Sequence, residues 1–137
     1  MSLARGVAIE RTNPAGLHAT PGYHHVTKVE AERLVFLAGQ CPLDERGELA
    51  DGGFVGQTDQ VVRNILVALE SVGARPEDVV RTVIYVVSPV REDLSAVWTR
   101  LTESPLAPAF STASTLLGVA QLGFPGQLVE VDVTAAL

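Results

Sequence analysis

The chain has 137 residues, of which 47% are hydrophobic and 19% charged, and its formal net charge is −6. That length suits one domain with a core of its own, and the composition is too apolar for a disordered chain. Ten basic residues stand against sixteen acidic ones, with Lys28 the lone lysine; no basic stripe is left for a phosphate backbone, which argues against nucleic acid as a partner.

Residues 1–11 read as a short strand, and Arg5, Glu10 and Arg11 interrupt any apolar core that a secretory leader would need. A loop rich in turn formers follows, from Thr12 to Gly22. His25 to Glu30 alternates, with His25, Thr27 and Val29 on one face, as expected of a half-buried strand. Leu34-Val35-Phe36-Leu37-Ala38 is continuously apolar and predicts an inner strand, which Gly39-Gln40-Cys41-Pro42 ends. Pro42 to Gly56 is a glycine-rich loop. Gly52 to Thr58 then delivers the chain to a helix start; without a Walker lysine or a preceding strand it makes a poor nucleotide cradle.

The clearest helix carries Val61, Val62, Ile65, Leu66, Leu69 and Val72 as one apolar stripe, with Gly73 as its stop and Pro76 beyond. Val79 to Val87 is rich in β-branched residues and predicts a central strand; Arg81 and Thr82 and its short length exclude a membrane span. Ser88-Pro89 opens a second helical segment, with Leu94, Val97, Trp98 and Leu101 at helical spacing and Pro105 and Pro108 after it. Leu116–Leu122 and Leu128–Thr134 are expected to pair antiparallel across a Gly123–Gln127 turn. This order predicts an α+β fold, one mixed sheet with two helices on one face.

A folded monomer of this mass exposes roughly 6,900 Å². Few charged residues are available to cover it, so the apolar surplus points to an oligomer. The single cysteine, Cys41, has no internal disulfide partner and suits a reducing cytoplasm.

Glu130 is the most informative residue. Val129, Val131 and Val133 fill one face of their strand, which leaves Leu128, Glu130, Asp132 and Thr134 on the other. Its carboxylate is either part of a solvated face or an acid/base group beneath a partner subunit. His24 and His25 point to opposite faces of a strand, and His18 and Cys41 lack zinc spacing, so no metal site is expected. Cys41 reads as a small packed residue, the alternative being a nucleophile whose base the sequence does not place.

Several segments in one order carry a resemblance. They are Thr12-Asn13-Pro14, Pro21-Gly22-Tyr23, Leu34 to Gln40, Pro42-Leu43-Asp44 and Gly47-Glu48-Leu49. The series continues through Gln57-Thr58 to Asn64, then Gly73, Asp78 to Thr82, Gly118-Val119-Ala120 and Val129-Glu130-Val131. The sequence resembles the YjgF/YER057c/UK114 group, also called the RidA family of reactive imine deaminases, over most of residues 1–137 as a single domain. That resemblance implies a chorismate-mutase-like fold with a six-stranded mixed sheet, two helices on one face, and a homotrimer with a small-molecule pocket at each subunit interface. It also implies cofactor-free hydrolysis of small imines or enamines, such as 2-aminoacrylate, to keto acids and ammonia.

By the same resemblance Glu130 corresponds to the glutamate that activates water, Tyr23 to a pocket tyrosine, and Gly39 to the glycine whose backbone meets the ligand. The arginine that grips a substrate carboxylate in this family is absent. Counting from Pro108 puts Phe110 at its position, counting back from Gly118 puts Ser114 there, and no arginine follows Arg100. His24-His25 follows the tyrosine where Ser-Gln is usual, and Trp98 stands where asparagine is common. The expected site is therefore Glu130 as the catalytic group, with Tyr23, His24, Gly39, Trp98, Phe110 and Ser114 around an altered ligand. The charge balance disfavours the ribonuclease activity also attached to this family, and a metabolite-binding trimer without turnover is the alternative to an enzyme.

Overall fold

A computed structural model describes residues 7–137, so residues 1–6 of the expected first strand lie outside the described residues. β1 (Ala8–Thr12) pairs antiparallel with β2 (Val26–Glu30). β3 (Leu34–Phe36) leads through a loop to α1 (Gly53–Ser71), then come β4 (Val79–Val87), α2 (Arg91–Thr102), β5 (Ala113–Val119) and β6 (Val129–Ala136). Gly52 alone of the glycine stretch stays outside α1, so Gly53 to Thr58 form the helix's first turns and not a loop before it.

The six strands expected as one sheet divide, by backbone pairing, into the β1–β2 hairpin and a four-stranded sheet of order β3-β6-β4-β5. Side chains join the two. Thr27 Oγ1 accepts from the Ala113 amide at 2.9 Å and meets Thr112 Oγ1 at 2.7 Å, while Arg11 Nη2 donates to the carbonyls of Glu77 and Val79 at 2.9 and 2.8 Å.

The expected β5–β6 hairpin does not form. β4 lies between them, parallel to β5 and antiparallel to β6. β4 is nine residues long with Val79, Val80, Thr82, Ile84 and Val86 buried; at the sheet centre its backbone donors and acceptors are paired on both sides, which a place at the edge would leave half unmet. α2 supplies the crossover that a parallel β4–β5 pair requires. The expected inner strand at Leu34–Ala38 is likewise an edge in the single chain: β3 pairs with β6 alone, and Phe36 is 72% exposed.

One core lies between the sheet and both helices. Val61, Val62, Ile65 and Leu69 of α1 and Val97 and Leu101 of α2 meet Ile84, Val86, Val129, Val131 and Val133. α1 ends in a Schellman motif: the Gly73 amide donates to Glu70 O at 3.0 Å and Ala74 N to Leu69 O at 2.9 Å. Gly73 takes a φ of 74°, a left-handed turn that favours glycine. No helix among the described residues is long and apolar enough to cross a membrane.

Candidate functional site: a carboxylate on the open sheet face and an aromatic cavity at its edge

Because β6 alternates, the residues that build the core also aim Glu130, Asp132 and Thr134 at the face without helices. Tyr85 lies directly across from Glu130 on β4. On the other side, pairing continues irregularly past β3, with Leu37 N to Val133 O at 3.1 Å and Gln40 N to Val131 O at 2.8 Å. This brings Gly39 against the carboxylates: a Cβ there would stand 2.2 Å from Glu130 Oε2 and 2.9 Å from Asp132 Oδ1. Glycine at 39 makes room for Glu130.

Two donors meet the other oxygen of Glu130. Cys41 Sγ lies 3.4 Å and Gln127 Nε2 3.2 Å from Oε1. Helix α1 holds both of their segments. Asn64 Nδ2 donates to the carbonyls of Cys41 and Leu43, each at 2.9 Å. Gln57 Nε2 donates to Gly126 O at 3.0 Å, and its Oε1 accepts from Leu128 N at 2.7 Å. Burial and the Glu130 carboxylate push the Cys41 thiol up to about 11, so near neutral pH it is a proton donor and not a thiolate nucleophile. Tyr85 OH donates to Asp132 Oδ2 at 3.2 Å, and burial followed by the Asp132 charge raises the phenol above its ordinary value.

The second feature is a cavity of about 490 Å³ between α2, the free edge of β5 and the loop before β2. Tyr23, Ser95, Trp98, Thr99, Ser114 and Leu116 are among its walls, and no charged side chain lines it. Tyr23 and Trp98 stand edge to face with centroids 6.2 Å apart, and His18 Nε2 meets Tyr23 OH at 3.3 Å. Phe110 packs against Trp98 at 6.0 Å but is 1% exposed, so it supports the wall from the core. Ser114 accepts a 2.6 Å bond from Thr82 Oγ1. His24 hydrogen-bonds the Ser111 carbonyl through Nδ1 and is not among the cavity walls. His25 turns its Nε2 to His18 O at 2.8 Å.

Of the expected site residues, the chain brings Glu130 and Gly39 together on the open face. Tyr23, Trp98 and Ser114 meet at the β5 edge. Cys41 and Gln127 were not expected at the carboxylate, and neither their residue types nor local spacing could have assigned them. Asp132 was readable, since it shares the Glu130 face by alternation. Among the described residues no group of three His, Cys, Asp or Glu side chains is arranged to hold a metal ion.

A mixed sheet covered on one face by two helices, with a glutamate on the other, defines an α+β protein with an open, carboxylate-bearing sheet face. The chain belongs to the endoribonuclease L-PSP family, also known as YjgF/UK114, whose model matches residues 15–137. A Rid-family protein of unknown function from Yersinia pestis superposes with a TM-score of 0.85 at 31% identity, covering 94% of this chain and 98% of that one. Rv2704 of Mycobacterium tuberculosis, a member of the YjgF/YER057c/UK114 family, gives 0.59 at 26% identity over 95% of this chain and 100% of its own. A RutC family protein of Pyrococcus abyssi is 40% identical over 58 residues, 42% of this chain and 46% of that protein. The chain thus matches about half the length of the curated relatives.

Proposed function

We propose that the protein is a cofactor-independent hydrolase of the deaminase type, acting on a small imine, enamine or related C–N compound. The observation that carries this reading is the held carboxylate, with Oε1 of Glu130 met by two donors and Oε2 over Gly39. Oε2 takes a proton from water as the water oxygen adds to the imine carbon, and passes that proton to the nitrogen. The resulting carbinolamine gives its hydroxyl proton to Oε2, which returns it to the amine as the C–N bond breaks, releasing ammonia, leaving the carbonyl product and restoring the carboxylate.

The carboxylate and the cavity belong to one site only if neighbouring copies share it. We assign the assembly as a homotrimer in a reducing cytoplasm, with Glu130 of one copy closing the aromatic cavity of the next. Phe36 and Leu117, 72% and 41% exposed and both on the Glu130 face by register, supply apolar surface for that contact. The uncharged cavity walls favour a neutral substrate over a 2-imino acid, because a buried carboxylate without a cationic partner is costly. The lack of a charged wall residue also keeps a second reading, a trimer that binds a metabolite without turnover.

The test generates 2-aminoacrylate and neutral aliphatic imines in situ and follows release of carbonyl product and ammonia. The hydrolase reading expects faster release from the neutral imines, abolished by Glu130→Ala. Binding at the cavity with no acceleration of any imine would favour the second reading.

A further inference from the structure

The two donors on Glu130 are unequal in kind and come from chain segments far apart in sequence. Gln127 is buried, and its amide is committed: Oε1 accepts from Phe124 N at 3.1 Å while Nε2 donates to Val129 O at 3.1 Å and to Glu130 Oε1. Cys41 has Glu130 Oε1 at 3.4 Å and the Gly39 carbonyl at 3.6 Å within reach of its S–H. Its backbone carbonyl is anchored to α1 by Asn64, so the thiol is set by a rigid helix and not by a loose loop.

We propose that Cys41 is a positioning residue for Glu130: with Gln127 it holds Oε1, so that Oε2, seated over Gly39, is the carboxylate oxygen offered to the reacting water. The inference rests on the hydrolase reading for its consequence and on geometry for its existence. A nucleophilic role for Cys41 is disfavoured by the same surroundings. With the thiol pushed up to about 11 beside a carboxylate, only about one molecule in ten thousand carries a thiolate at pH 7. A thiol is a weak donor, so the contribution is modest, and its work is directional: a carboxylate free to rotate about its last torsion exchanges its two oxygens.

Two readouts separate this inference from the hydrolase reading. The first needs no substrate: thiolate absorbance against pH for the wild type and Glu130→Gln. Losing the carboxylate charge is expected to lower the Cys41 midpoint by about one pH unit; an unchanged midpoint would overturn the proposal. The second compares Cys41→Ala with Cys41→Ser on whichever imine the wild type hydrolyses. Alanine is expected to lower kcat about fivefold to tenfold with KM held, and serine, which keeps a donor, to recover most of it. Equal kcat for alanine and wild type would overturn the positioning role even if the thiol titration moves. A wild type that hydrolyses no imine defeats the hydrolase reading, and the titration then decides alone whether Cys41 holds Glu130.

Discussion

The two faces of the four-stranded sheet share strands and differ in chemistry. Beneath the helices, Val129, Val131 and Val133 of β6 are at most 2% exposed. One residue out of phase, Glu130, Asp132 and Thr134 are half-buried on the open face. A slip of one residue in this strand would exchange the two sets, so the packing of the core is also what aims the carboxylate. The helix side depends on filled volume, whereas the open side depends on the geometry of a few polar atoms.

The largest effect is expected on the helix side. Phe110→Ala removes a fully buried ring behind Trp98 and should cost about 3–5 kcal/mol in denaturant unfolding at fixed protein concentration. A cost below about 1 kcal/mol would break the contrast between the faces. Gly39→Ala puts a methyl against Glu130 Oε2. It should cost about 1–3 kcal/mol and, by displacing the carboxylate, lower imine turnover more than stability alone explains.

Asn64→Ala sharpens the link between the faces, since one amide on α1 holds the carbonyls of Cys41 and Leu43. Its loss should cost about 1–2 kcal/mol and make the Cys41 thiol more accessible to alkylation at high pH. Two smaller effects depend on pH. The thiol, raised to about 11 in the fold from an ordinary 9.0, ionises first in the unfolded chain. Its contribution to stability is therefore complete below pH 9 and lost as the pH rises toward 11, and Cys41→Ser should flatten that alkaline decline. The smallest effect belongs to the solvent-exposed Arg100–Asp59 pair, with two bonds of 2.8 Å. The Arg100 guanidinium lowers the Asp59 carboxyl. Its stabilisation is present above the ordinary value of 3.8 and fades as the pH falls below it. Asp59→Asn should remove that small contribution at neutral pH and flatten the acid limb of a stability–pH curve.

Periodicity was enough to read the elements whose burial is one-sided. The α1 stripe with Gly73 as its stop, the central place of Val79–Val87 and the orientation of Glu130 all follow from local pattern. Pairing order did not. A five-residue turn between two apolar runs reads as a hairpin, and only the backbone demands of β4 explain why it separates β5 from β6. Leu34–Phe36 misleads for a related reason: an apolar run marks burial but does not say whether a sheet or another copy of the chain provides it. The candidate site was legible where a residue's strand phase decides its face, as at Glu130 and Asp132. It was illegible where the contact joins residues 89 apart, as between Cys41 and Glu130.

In the proposed assembly Glu130 of one copy works in the aromatic cavity of another. Mixing two inactive variants, Glu130→Ala and Trp98→Ala, after joint refolding and measuring imine hydrolysis tests it most directly. If the site is shared between copies, random trimers regain about a quarter of wild-type sites, and activity returns although neither variant has any alone. A mixture as inactive as its components, with mixed trimers demonstrated by native mass spectrometry, would contradict the account.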